Sequence, residues 1–431
     1  MEIKRTRYLE QLIRKRENGL VKVITGVRRC GKSYLLNNIY YNYLRAEGVA
    51  EDHIIMLALD DDENIRYRNP LELGAYLRGL LTDDGMHYIF IDEIQECREI
   101  ENPYLPGDKV TFTETLLGLM KKKNADVYVT GSNSRMLSED ILTEFRGKGD
   151  EIRVNPLSYK EFYDAYEGDK SSAWNEYMTY GGMPFVMSLT THKDKMDYLN
   201  GLFNKIYFSD IINRHQLSEK QLPVLEALIN IASSSIGSLT NPSNYEKMIK
   251  DRLKVKTSDD TIRKYLEYFK NAFLISEARR YDIKGKEYIG SPYKYYFTDL
   301  GLRNARINFR QMEETHIMEN IIYNELMLRG YSVDVGYMEL NERRDGKNVR
   351  VMKEVDFVVS TSGSRRYYIQ SAYKMETEEK KENELKVFTA IKDSFRKIII
   401  EKYVLMPWYD DYGVLHIGVE QFLLDENTMD L

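Results

Sequence analysis

The sequence predicts an α/β fold with a parallel sheet at its centre, on three observations. Residues 21–25, VKVIT, are a short apolar run followed by a glycine-bearing stretch, Gly26-Val-Arg-Arg-Cys-Gly31-Lys32-Ser33. Residues 87–91, HYIFI, are a second apolar run that ends in Asp92 and Glu93. Residues 126–130, DVYVT, are a third, followed by Gly131-Ser132-Asn133-Ser134. Runs of this length suit strands buried on both faces, and ligand crevices open at the strand C-termini of such sheets.

The first run and its loop match the P-loop spacing Gly-x-x-x-x-Gly-Lys-Ser. Gly26, Val27, Arg28, Arg29, Cys30, Gly31, Lys32, Ser33 and Tyr34 are the expected nucleotide contacts. The glycines let the backbone curl so that its N–H groups face phosphate oxygens. A helix beginning near Lys32, with apolar residues at Leu35, Leu36, Ile39 and Leu44, adds its positive dipole end. Lys32 is expected to reach the β- and γ-phosphates of ATP, and Ser33 to hold Mg²⁺ through its hydroxyl.

At the end of the second strand Asp92 is expected to support the same Mg²⁺. Glu93 is the candidate base, because an attacking water needs a nearby carboxylate to take its proton. At the end of the third strand Asn133, with Ser132 beside it, is the candidate sensor of the γ-phosphate; ordinary turn chemistry explains Gly-Ser-Asn-Ser equally simply. Arg146, in Phe145-Arg146-Gly147-Lys148, is the candidate for an arginine offered to a neighbouring subunit, which would make the chain a homo-oligomer. A plain surface arginine is the other reading.

These stretches carry a resemblance. GVRRCGKS, IFIDEIQE, VTGSNSRML, FRGKGDEIRVNPLSYKEF and YGGMPFVM resemble the AAA-type ATPases of bacteria and archaea that carry a conserved C-terminal domain. The similarity runs from residue 1 to about 425. It implies an ATPase module, a winged-helix module and a nuclease-like module in series.

Pattern shifts along the chain give boundaries for these modules. Residues 1–155 alternate strands and helices, as a P-loop core does. Ser158 with Glu161 forms a capping box that opens a helical stretch, residues 156–221, read as the lid. Residues 222–305 read as three helices, near 222–235, 244–254 and 258–269, followed by a hairpin whose turn carries Lys284 and Lys286. That is the layout of a winged helix. From Lys247 to Arg310 there are 16 Lys/Arg against 8 Asp/Glu, in a chain whose net charge is −6. A basic module in an acidic chain is the expected footprint of DNA, with Arg263 and Lys264 on the third helix and Lys284 and Lys286 at the wing tip as contacts. Winged helices also bind proteins, so protein partners remain the alternative.

Residues 306–431 read as a PD-(D/E)xK nuclease-like domain. Glu319 lies on a predicted helix, Asp356 on the strand EVDFVV, and Gln370 on the strand YYIQSAYK. A cleaving site there needs carboxylates on Mg²⁺ and a lysine beside the phosphate. Gln370 stands where an acid is needed and Ala372 where the lysine is needed, with Lys374 one pleat further on. The expectation is therefore a nuclease-like fold without cleavage. An ATP-regulated DNA nuclease and a signalling ATPase are the competing readings.

Bulk properties agree with this. Two cysteines, Cys30 and Cys97, exclude a disulfide framework, and a thiol inside the P-loop points to the cytoplasm. No apolar run approaches a membrane span, and the N-terminus does not read as a signal peptide.

Overall fold

A computed structural model describes residues 3–131, 149–344, 347–361, 365–373 and 385–431. The chain divides into two compact units. One is Met1–Pro156 with Asn271–Phe273; the other is Leu157–Lys270 with Leu274–Leu431.

The first unit is built on β1 (Val21–Gly26), β2 (Ile54–Ala58), β3 (His87–Asp92), β4 (Ala125–Thr130) and β5 (Gly149–Val154). These five strands form one sheet with parallel pairings throughout, in the order β2-β3-β4-β1-β5. Helix α1 (Thr6–Lys15) precedes the sheet. Helix α2 (Lys32–Tyr34) runs through a π-helical turn, Leu35–Tyr40, into α3 (Tyr41–Ala46). Helices α4 (Pro70–Gly79) and α5 (Phe112–Met120) cover one face. There Leu73, Leu77, Leu116 and Leu119 pack on Val21, Val23, Ile89, Ile91, Val127 and Val129. Asn69 caps α4 ahead of Pro70, and Thr111 with Glu114 boxes the start of α5.

A buried polar knot interrupts the apolar sheet. Lys22 on β1 and Asp126 on β4 are 0% and 2% exposed and form an ion pair. The other Asp126 oxygen accepts from Tyr128 Oη at 2.7 Å and from the Glu17 N–H at 2.9 Å. The Tyr128 hydroxyl in turn meets that of Tyr40 at 2.7 Å. Burial pulls the Lys22 ammonium below its ordinary pKa, against the attraction of Asp126. Every member has a partner, which is what makes a buried charge tolerable.

The second unit opens with α6 (Tyr159–Ala165), α7 (Ala173–Tyr180), α8 (His192–Gly201) and α9 (Ser209–Arg214). The predicted capping box is present: Ser158 Oγ accepts from the Glu161 N–H at 3.1 Å, and Glu161 returns to the Ser158 N–H at 3.0 Å. Helices α10 (Leu222–Ser234), α11 (Pro242–Leu253) and α12 (Asp259–Asn271) follow, then the hairpin β6 (Ile275–Asp282) and β7 (Glu287–Phe297). After α13 (Leu300–Arg306) and α14 (Glu314–Leu328) come β8 (Ser332–Arg344), β9 (Lys347–Ser360), β10 (Arg366–Ala372), β11 (Arg396–Glu401), β12 (Trp408–Tyr409) and β13 (Leu415–Gly418), then α15 (Val419–Leu424).

The hairpin departs from the sequence expectation of a separate wing. Strand β6 pairs in parallel with β8, so one eight-stranded mixed sheet runs β12-β13-β11-β10-β9-β8-β6-β7. The sheet therefore crosses the boundary expected at residue 305. Pairing covers an edge that would otherwise leave a row of unpaired N–H and C=O groups. Val335 and Arg280, which sit side by side in this pairing, lie 55 residues apart in sequence, beyond the reach of local patterning.

Asp299 ties the sequence YGGMP to the helix that follows the hairpin. Its carboxylate caps α13 through the Leu302 N–H at 2.9 Å and accepts from the Gly182 N–H at 2.7 Å. A Cβ on Gly181 would lie 2.5 Å from that carboxylate, at a φ of +70°, so glycine is required there. Asn304 binds the Met178 and Thr179 carbonyls, both at 2.9 Å, from the same side.

Replacing Lys22 by Met leaves the Asp126 charge buried without its cation. The variant should lose about 3–5 kcal/mol of stability. Urea unfolding followed by circular dichroism measures it, and a loss within error of zero would mean that the pair is dispensable.

Candidate functional site

The loop between β1 and α2 is held from three sides. At Gly26, φ is +137° and a Cβ would stand 2.0 Å from the Val154 carbonyl oxygen, so a side chain cannot fit. Gly31 has φ +97° and serves as the left-handed N-cap of α2. Between them Arg29 also takes a left-handed backbone, at φ +62°. Val27 and Cys30 are buried while Arg28 and Arg29 are exposed. The Cys30 thiol donates to the Val154 carbonyl at 3.3 Å. Arg5, itself buried, donates to the Cys30 carbonyl at 3.3 Å and the Asn155 carbonyl at 2.6 Å. The loop is thus pinned to β5 and to the segment ahead of α1.

Lys32 is 5% exposed, and its ammonium donates to the carbonyls of Gly26 and Val27, both at 3.1 Å. Ser33 is half-buried in the first turn of α2, and Tyr34 is exposed at 43%.

Asp92 ends β3 and Glu93 directly follows it, and β4 lies between β3 and β1. Thr130, the last residue of β4, joins the two acids. Its hydroxyl donates to Asp92 Oδ1 and accepts from the Glu93 N–H at 3.1 Å. Glu93 has φ +51°, and its carboxylate accepts from Gln95. Thr130 was read only as the end of a strand; a hydroxyl at a strand C-terminus beside paired acids is the signal that points to it. Likewise Thr25 donates to Glu151 on β5 at 2.7 Å. Asn133 and Arg146, with Ser132, lie outside the described residues.

In the second unit, Arg263 and Lys264 are exposed on α12, whose other face buries Ile262, Tyr265, Leu266 and Phe269. Arg263 is engaged by Asp259 at 2.7 Å, and the Lys264 ammonium lies 5.8 Å from the Tyr268 ring centre. Lys284 and Lys286 are exposed at the hairpin tip, with Lys284 donating to the Glu339 carbonyl at 2.6 Å. The tip is therefore fastened to β8.

Glu319, Asp356 and Gln370 do come together, around a residue that the motif reading did not include. Lys294 projects from β7 with its ammonium 2.8 Å from Glu319, 2.6 Å from Glu354 and 3.5 Å from Asp356. It is 4% exposed. Tyr296 Oη donates to Glu319 at 2.6 Å, the Ser371 N–H donates to Asp356 at 2.9 Å, and Gln370 Oε1 accepts from the Asp356 N–H at 3.2 Å. Burial and the charge of Glu319 push Asp356 up to about 8. Burial alone would raise Glu319 as well, but the attraction of Lys294 outweighs it and holds Glu319 below its ordinary value. A lone lysine inside the aromatic strand YKYYF was the available signal. Lys374 lies outside the described residues.

Comparison with known proteins places this geometry in context. Residues 18–163 match the model of an AAA domain, and residues 171–313 that of a domain of unknown function. An uncharacterized protein of Haemophilus influenzae is 33% identical over 423 residues, covering 96% of this chain and 97% of that protein. An uncharacterized protein of Methanocaldococcus jannaschii is 28% identical over 419 residues, covering 93% and 84%. Among solved structures, a Walker-type ATPase of Pyrococcus abyssi matches with a TM-score of 0.50 at 14% identity, covering 71% of this chain and 96% of that one. No helix among the described residues is long and apolar enough to cross a membrane.

Lys294→Met leaves three acids without their cation, and should cost about 3–5 kcal/mol at neutral pH. Without the ammonium, burial should hold the folded-state pKa values of Glu319 and Asp356 above their unfolded ones. The folded variant then binds more protons than the unfolded chain, so its stability rises as pH falls from 7 towards 5. Urea unfolding at both pH values reads the two effects; a variant as stable as the wild type at pH 7 would show that the ammonium carries no load.

Proposed function

The chain belongs to the family of the Haemophilus influenzae protein and carries an AAA-type P-loop ATPase domain; on that premise we propose that it binds and hydrolyses ATP and couples the cycle to DNA. The observation that carries this reading is the set of Gly26, Gly31, Lys32 and Ser33 at the end of β1, one strand removed from Asp92 and Glu93. The loop backbone and the start of α2 would cradle phosphates, since unpaired N–H groups at a helix start favour anions. Lys32 would exchange two carbonyl partners for phosphate oxygens. The residues fit a Mg²⁺ ion: Ser33 and Asp92 are an oxygen-donor pair, and Thr130 orients Asp92. Bound there, the ion would screen charge on the phosphates. Glu93 would take the proton of the attacking water, its backbone position fixed by Thr130. Asn133 as sensor and Arg146 as an arginine given to a neighbouring copy complete the proposal.

Lys32→Ala should abolish ATP binding in a fluorescent-nucleotide titration. Glu93→Gln should bind ATP and slow phosphate release by about 10²–10⁴-fold. Retained turnover would remove Glu93 as the base.

For the second unit we propose a winged-helix reading of α10–α12 and the β6–β7 hairpin, with DNA against Arg263, Lys264, Lys284 and Lys286. The positive excess of this segment and the exposure of those four residues support it. DNA affinity should differ between the ATP and ADP forms and weaken steeply with salt. Identical affinities with ATP, ADP and no nucleotide would sink the coupling, and no binding at low salt would favour a protein partner. The C-terminal strands are proposed as nuclease-like and non-cleaving, because the Lys294 ammonium stands among the acids that a metal would need. The same lysine supports a second reading, an ATP-regulated nuclease, since it supplies the cation that Ala372 cannot. Plasmid incubated with Mg²⁺ or Mn²⁺ and ATP decides: the first reading expects no cleavage, and cleavage lost in Asp356→Ala establishes the second.

A further inference from the structure

At the opposite end of β3 from Asp92, two imidazoles and a carboxylate converge. His87 begins the strand, His53 directly precedes β2, and Asp83 lies in the loop before β3. One ligand-capable atom from each lies within 4.8 Å of the others. His53 Nε2 is 3.1 Å from Asp83 Oδ2.

His87 is fully buried, and its two nitrogens differ. Nδ1 is 2.8 Å from the Gly85 carbonyl oxygen, which only accepts, so Nδ1 carries the proton. Nε2 is then a bare lone pair, and it is buried without a hydrogen-bond partner. An unpaired buried nitrogen costs stability unless something fills the need. A metal ion does so, and metal-bound histidines commonly donate their other N–H to a backbone carbonyl in this way.

Gly85 steadies the second ligand as well. Its N–H donates to Asp83 Oδ1 at 2.8 Å, which leaves Oδ2 turned to His53. A Cβ at position 85 would stand 2.5 Å from His53 Cε1, so the small residue is what lets the three groups approach. Asn124 fixes the same corner, donating to the Asp83 carbonyl at 2.7 Å and accepting from the His87 N–H at 2.9 Å.

We propose that His53, Asp83 and His87 form a binding site for one transition-metal dication of the zinc type. Two imidazole nitrogens and one carboxylate oxygen select such an ion over Mg²⁺ or Ca²⁺, which prefer all-oxygen shells. The two rings stack with centres 4.4 Å apart and planes 25° apart. Coordination therefore turns His53 out of the stack, a rotation that its 21% exposure permits. The site ties the start of β2 to the start of β3. It lies five residues along the strand from Asp92, about 17 Å at the rise of an extended chain. Its role is to brace the sheet, and ATP affinity should not depend on it.

The test uses untagged, chelator-treated full-length protein and Co²⁺ as the probe, followed by its visible absorption, with Zn²⁺ in competition. One ion per chain is expected, with a rise in Tm on Zn²⁺ addition. His53→Ala and Asp83→Ala remove partly exposed ligands and should each weaken binding by at least about 100-fold. Asp83→Asn, of nearly the same shape, should also weaken it and guards against misfolding of the alanine variant. Circular dichroism and retained ATP binding check that each variant is folded. Absence of stoichiometric binding, or binding that the variants leave unchanged (an adventitious ion only), would overturn the proposal.

Discussion

The grip on strand β1 from both sides is the constraint on which the first unit's site depends. On the β5 side, Gly26 approaches the Val154 carbonyl so closely that no side chain fits. On the β4 side, Lys22 is tied to Asp126, and the same strand ends in Thr130. Together these contacts set where the loop Val27–Gly31 leaves the sheet, and Thr130 sets where Asp92 and Glu93 stand beside it. Parallel pairing puts all these strand ends on one edge, so one register error would separate the loop from the acids.

The second unit depends on joints between segments that are distant in sequence. Asp299 holds Gly182 and the first turn of α13, and Lys294 draws β7, α14 and β9 together through three carboxylates. Lys294 lies within β7 and Asp299 just beyond its end, and both are buried. The hairpin is therefore an integral edge of the large sheet, and a change in its position would be felt at Glu319 and Asp356.

The parallel core was legible because its signals are local. Apolar runs at 21–25, 87–91 and 126–130 became β1, β3 and β4, and a glycine pair flanking a loop announces its backbone geometry within six residues. The capping box at Ser158 and Glu161 was legible for the same reason. The β6–β8 pairing, the Thr130 bridge and the Lys294 cluster were not, because each joins segments whose proximity only the folded topology creates. Lys294 shows the limit most clearly: a motif search along β10 finds Ala372 where a lysine is wanted, while a lysine 78 positions earlier reaches the acids from another strand.

Three buried lysines make the chemical division of the chain concrete. A buried ammonium is costly unless a counter-charge meets it. Lys22 meets one carboxylate and is closed. Lys294 meets three, so negative charge is in excess there, and burial beside that excess pushes the Asp356 pKa upward. Lys32 is as buried as these two, yet among the described residues its hydrogen bonds go to two neutral carbonyls. Carbonyl dipoles solvate a cation but do not neutralise it. Of the three, Lys32 is the one whose hydrogen-bond partners, among the described residues, include no carboxylate, and it stands at the start of a helix whose dipole adds to its sign. An anion at the end of β1 would complete the neutralisation that the two carbonyls leave undone, and the triphosphate proposed for that loop is such an anion.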